Sequence, residues 1–197
     1  MELISSAERN RLFDRFHHDA FHLELRDDYS VPDEDGPFHQ WLAGRETDHS
    51  YLEPWLRLVH QSTARGMSVR RVRVVTTPPT PYIRWEHSIT ELNEGAGEDI
   101  RWLPRHLLPA DLTLPFESRD WWLYDDRLLA VGHCDDDGRV LGSEIVDTPD
   151  VVDRCAHVRD QLWALAVPTA STSPEQTMTT QAQEALQASP TASTTGS

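Results

Sequence analysis

The chain has 197 residues and a formal net charge of −15 at neutral pH. Such a surface repels phosphate backbones and anionic membranes alike, which argues against direct nucleic-acid binding and against membrane association. All 18 basic residues are arginines; without lysine there is no Schiff base, no P-loop lysine and no lysine general base, and arginine does not deprotonate in their place.

"SSAERNRLFDRF" opens a helix, with Ser5 and Glu8 spaced as a capping box and Leu12, Phe13 and Phe16 on one face. "AFHLELRD" alternates Phe21, Leu23 and Leu25 with His22, Glu24 and Arg26, the pattern of a half-buried strand. "DDYSVPDEDGPF" reads as an acidic loop, after which Pro37 starts a short helix through Phe38, Trp41 and Leu42. "SYLEPWLRLVHQSTARG" is a helix with a stripe of Leu52, Trp55, Leu56 and Val59, closed by Gly66. "SVRRVRVVTT" carries the strongest strand signal. Pro81 then opens a helix whose stripe is Tyr82, Trp85, Ile89 and Leu92, ended by "GAG".

"EDIRWLP" is a strand, and residues 107–119 form a proline-broken loop. Two or three strands follow to about Val146. "TPDVVDRCAHVRDQLWALAV" is the last helix, capped by Thr148, started by Pro149, with Val151, Cys155, Val158, Leu162 and Leu165 inward. This mixed order predicts an α/β fold, or mixed α+β: a single central mixed sheet flanked by helices over residues 1–167. From residue 168 to 197 the chain is Ser, Thr, Ala and Gln with few large apolar groups, the composition of a disordered tail.

Cys134 and Cys155 are too few for a disulfide framework and read as free thiols. "MELISSAERN" has neither a basic n-region nor an apolar h-region, and runs such as "LWALAV" are too short to span a bilayer, so a cytoplasmic location is expected.

The most crowded stretch is "RDWWLYDDRLLAVGHCDDDG", residues 119–138. At period two it is a hairpin. Trp122 and Tyr124 share one face, Trp121 and Leu123 the other, and the acids fall where turns need them. Asp135, Asp136 and Asp137 lack the alternate spacing of a calcium loop, and His133–Cys134 has no second pair for zinc. His17, His18 and His22 lack a carboxylate at ligand spacing. No metal or other cofactor is expected.

"VRRVRVV" puts Arg71 and Arg73 on one strand face and Arg70 on the other. A strand buried on both faces does not carry three unpaired arginines, so either its first half is exposed or it pairs them with acids. Arg84, Glu86, Glu98, Asp99, Arg101 and Arg105 cluster at neighbouring strand and helix ends. Two readings follow: a structural ion-pair network, or an anion-holding pocket of Arg71, Arg73, Arg84, Arg101 and Arg105 oriented by Glu86, Glu98 and Asp99. There is no G-x-S-x-G elbow and no GxGxxG loop.

The string "RGMSVRRVRVV…PYIRWE…AGEDIRWLPR…DWWLYDDR", within a stretch from about Phe13 to Val167, resembles an uncharacterised bacterial family of unknown function, DUF6879. The resemblance implies a regulatory setting, because such proteins accompany helix-turn-helix regulators. The strand–helix–strand–meander order is also similar to the phospholipase-D-like fold. Active members of that fold need an H-x-K-x4-D motif, so a lysine-free chain implies a site that is dead or retuned to bind. The reading that results is a non-enzymatic regulatory or ligand-sensing domain working with a protein partner, such as a helix-turn-helix regulator or another basic protein. The alternatives are a phosphate-ester hydrolase, which requires His87, His106 or His133 to converge with the acids, and a purely structural interaction module.

Overall fold

The computed structural model describes residues 2–169. Seven strands, β1 to β7, run over Asp19–Glu24, Ser68–Val75, Glu98–Pro104, Trp121–Tyr124, Leu128–Cys134, Val140–Val146 and Val167–Pro168. They form one mixed sheet in the order β6-β5-β4-β1-β2-β3-β7. β1, β2 and β3 are parallel, as their long helical crossovers require, whereas β4 returns antiparallel to β1 and leads the β4-β5-β6 meander. Five helices, α1 to α5, span Ser6–Asn10, Pro32–Leu42, Glu53–Ala64, Pro81–Gly95 and Pro149–Leu165. The expected mixed α/β architecture is the one observed.

Local signals explain most of these elements. Ser5 and Glu8 form the capping box of α1, with the Glu8 carboxylate 2.9 Å from the Ser5 amide. The Thr80 hydroxyl caps α4 by accepting from Ile83 N, and Pro81 takes the first position, where no donor is needed. At the β4–β5 turn Asp125 and Asp126 adopt left-handed φ of 50° and 51°. The Asp125 carboxylate then accepts backbone N–H bonds from His17, His18 and Asp19 at 2.8–3.0 Å, tying the turn to the start of β1.

Some boundaries differ from expectation. α2 begins at Pro32, not Pro37: Pro32 fills the donor-free first position, and Asp33, Glu34 and Asp35 complement the positive end of the helix, so the "acidic loop" is its first turn. α1 tightens into a 3-10 turn at Arg11–Asp14. On α5 the inward residues include Val152 and Arg159. Leu165 is 43% exposed, because the chain leaves the helix at buried Ala166 to form β7. Of the expected tail, Pro168 pairs with Arg101, and Thr169 bonds Ile100 O and the Trp102 indole; the rest lies outside the described residues.

The two faces of the sheet are unlike. One is sealed by α5, whose Val152, Cys155, Val158 and Leu162 pack on Phe21, Leu23, Val72, Val74, Leu103 and Trp121. On the other, two separate apolar clusters form. Phe13, Phe16, Val59 and Tyr124 make one, and Ile83, Trp85, Ile89 and Trp102 the other. Between them, in the middle of the sheet, lies a polar strip. No helix among the described residues is long and apolar enough to cross a membrane.

Candidate functional site

Register builds the polar strip. His22 lies opposite Arg71 on β2 and opposite Trp122 on β4, and Glu24 lies opposite Arg73. Because side chains alternate, His22, Glu24, Arg71, Arg73 and Trp122 all rise from one face. The charges alternate as well. Glu98 accepts from Arg71 Nε at 2.7 Å, Arg71 Nη1 donates to Glu24 at 2.6 Å, Glu24 lies 2.9 Å from Arg73 Nε, and Arg73 pairs with Glu86 of α4. The second Glu98 oxygen takes the Trp55 indole N–H at 3.0 Å.

All five charged residues of this chain of contacts are at most 9% exposed. Burial alone lowers the proton affinity of Arg71, but Glu24 and Glu98 outweigh it and hold the guanidinium above its ordinary value. Arg73 is raised in the same way by Glu24 and Glu86. Both arginines stay charged and ion-paired.

Above this floor is a cavity of about 450 Å³, within the range of small-molecule sites. Its walls include Arg9 of α1, Trp122 of β4, Glu34 of α2 and Tyr82 of α4, with Tyr29, Tyr51, Trp55 and Asp120. His22 stacks on Trp122 with ring centroids 4.2 Å apart and planes at 11°. Burial, then Arg71, Arg9 and Arg73, drive its pKa well below the ordinary 6.5. It is a neutral imidazole, so its 3.3 Å approach to Glu24 is not an ion pair.

Arg9, Glu34 and Asp120 in the wall form no close ion pair among the described residues. Arg9 donates only to the neighbouring Asn10 carboxamide, and its Nε is buried without a partner; burial pulls its guanidinium below its ordinary value. Glu34 accepts the Tyr82 hydroxyl at 2.5 Å. Burial first, then the charge on Glu86, push its pKa up to about 7. Asp120 accepts Tyr29 OH and Leu25 N, each at 2.7 Å, and burial raises it to about 6. The Trp122 indole N–H is also buried and unpartnered.

Of the eight residues expected to form a pocket, Arg71, Arg73, Glu86 and Glu98 come together, but as the ion-paired floor. Arg84 turns away to Pro79 O. Arg101 stacks on Trp163, 3.9 Å from the ring, and its nearest acid is the half-exposed Asp99. Arg105 reaches Leu25 O, Val74 O and Asp27 at the strand ends. The cause is strand parity: Asp99 and Arg101 alternate with Glu98 and Ile100, and so occupy the opposite face of β3.

The histidines needed for hydrolysis do not converge either. His87 packs on Trp102, His133 contacts Arg119 and Glu144, and His106 sits in a 3-10 turn beyond β3. Residue-type reasoning passed over Arg9, Glu24, Glu34, Asp120 and Trp122 as pocket residues, and weighed His22 only as a metal ligand. Of these, Glu24 had a signal: it sits between Leu23 and Leu25 in a strand whose neighbours carry arginines.

No curated protein matches the sequence. Two solved structures are similar in outline. Nuc, a phospholipase D family member from Salmonella typhimurium, aligns over 82% of this chain and 88% of its own at 11% identity, with a TM-score of 0.46. TrmBL2, an archaeal chromatin protein described as showing a novel mode of DNA binding, aligns over 82% of this chain and 50% of its own at 12% identity, with a TM-score of 0.43. Both likenesses are weak. The family model for a domain of unknown function (DUF6879) matches residues 7–173, and the chain belongs to that family.

Proposed function

We propose that the protein is a non-enzymatic ligand-sensing domain that acts with a protein partner, such as a helix-turn-helix transcriptional regulator. The observation that carries this reading is the cavity of about 450 Å³ over a buried, ion-paired floor. A structural module gains nothing from burying unpaired charges in a hollow, because each costs desolvation energy. The phosphate-ester hydrolase reading requires His87, His106 or His133 to converge with the acids, and these three stand apart. The partner follows from charge: a body at −15 meets basic surfaces fastest, and a DNA-binding regulator offers one.

Trp55 and Trp122 in the walls supply a direct readout. Polar metabolites are screened by intrinsic fluorescence and thermal shift. A compound that changes both is then added to a mobility-shift titration of operator DNA with the neighbouring regulator. The expected result is an operator affinity that changes with this protein and again with the compound. No responding compound, or an operator affinity indifferent to the protein, overturns the reading.

A further inference from the structure

We propose that the cavity receives a zwitterion of the amino-acid class, its carboxylate on Arg9 and the Trp122 indole N–H and its ammonium group on Glu34 and Asp120. This deepens the ligand-sensing reading and rests on it.

Arg9 and three acids, Asp33, Glu34 and Asp120, line the cavity outside any ion pair among the described residues, and of the acids Glu34 and Asp120 each accept a tyrosine hydroxyl. Arg9 comes from α1, which is anchored to β6 by the paired Ile4–Ser143 backbone bonds of 2.9 and 2.8 Å. Trp122 lies on β4, 97% buried, with its N–H unpartnered. Donors therefore come from the meander side of the sheet. Glu34 comes from α2, whereas Asp120 stands two residues before Trp122 and, by strand alternation, on the same face. Glu34 is carried by Tyr82 and Asp120 by Tyr29, and those two tyrosine rings are 6.0 Å apart. Arg71 and Arg73 do not compete for the ligand carboxylate, because Glu24, Glu86 and Glu98 already hold them.

A lone anion would satisfy Arg9 and leave the two carboxyls facing an apolar or like-charged group. A lone amine would do the reverse. A divalent cation does not fit, since no group of three metal-ligating side chains converges among the described residues. A molecule carrying both charges neutralises each end. It also allows Glu34 and Asp120 to ionise in place, because an ammonium beside a buried carboxyl favours its charged form.

The test is isothermal titration of the full chain with the standard L-amino acids. The best binder is then compared with its decarboxylated amine and its deaminated acid. The zwitterion is expected to bind, and loss of either charged group to weaken binding about 10- to 100-fold, the worth of one charge-assisted contact. Arg9→Gln should weaken the zwitterion to the level of its amine, and Glu34→Gln to the level of its acid, with both variants folded by circular dichroism. Three results overturn the proposal: no amino acid binding in the millimolar range, an amine or acid that binds as tightly as the zwitterion, or an Arg9→Gln variant with unchanged affinity. Should the fluorescence screen meanwhile yield a ligand of another class, ligand sensing stands and only this assignment falls.

Discussion

Glu34→Gln should make the protein more stable at alkaline pH while leaving it almost unchanged in acid. The Glu34 carboxyl has a folded-state pKa of about 7 against an ordinary 4.5, from burial and the nearby charge on Glu86. Between those values the folded state binds more protons than the unfolded state, so stability falls as pH rises through the window from 4.5 to about 7. At roughly 1.4 kcal/mol per tenfold change in proton affinity, the loss between pH 5 and pH 8 is roughly 2–3 kcal/mol. Glutamine mimics the protonated acid, keeps an oxygen for the Tyr82 hydroxyl, and removes this dependence. Urea unfolding followed by tryptophan fluorescence, at fixed ionic strength and at both pH values, measures it. Wild type and variant with parallel stability–pH curves would refute the reasoning and place the Glu34 carboxylate in contact with solvent or a cation.

Replacing Glu24 by Gln leaves Arg71 and Arg73 buried with their shared acid gone, and chemical denaturation should register a loss of about 3–5 kcal/mol. Asp125→Ala removes the acceptor for three backbone N–H groups and places alanine at a left-handed φ of 50°; a cost of about 2 kcal/mol is expected. Those N–H groups hold the Asp125 carboxyl below its ordinary 3.8 despite its partial burial. Its stabilisation is therefore present above 3.8 and vanishes as pH falls through the lower folded value, which an acid titration of wild type against Asp125→Asn will show. Gly142 has φ +144°, and a Cβ there would stand 2.7 Å from Ile4 O. Gly142→Ala should cost about 2 kcal/mol or more and speed amide exchange at Ile4 and Ser143, loosening the segment that carries Arg9.

Local pattern made much of the fold legible. The capping box at Ser5, the alternation of Phe21, Leu23 and Leu25, the proline start and stripe of α4, and the Trp121–Tyr124 hairpin are each set by contacts within a few residues. They stand in the structure where the pattern puts them. The start of α2 was less legible, since acids at a helix N-terminus and acids in a loop look alike in composition.

The candidate site was legible only in part, and the reason is physical. That Arg70, Arg71 and Arg73 must either lie exposed or be paired with acids followed from the sequence alone, because buried guanidinium without a counter-charge is too costly. Which acids pair with them depended on which strands became neighbours. Glu24 lies 47 residues from Arg71 and reaches it because β1 and β2 are parallel in a register that sets His22 against Arg71. Arg84, Arg101 and Arg105 have the same chemistry and sit as near in sequence, yet strand parity and helix rotation point them elsewhere. The sequence by itself determined element types, the lysine-free chemistry and the need to expose or pair the strand arginines, all properties of short segments or of composition. Only the tertiary structure decided the pairing, and with it the hollow that Arg9, Glu34 and Asp120 line, because a cavity is made by surfaces that no single segment contains.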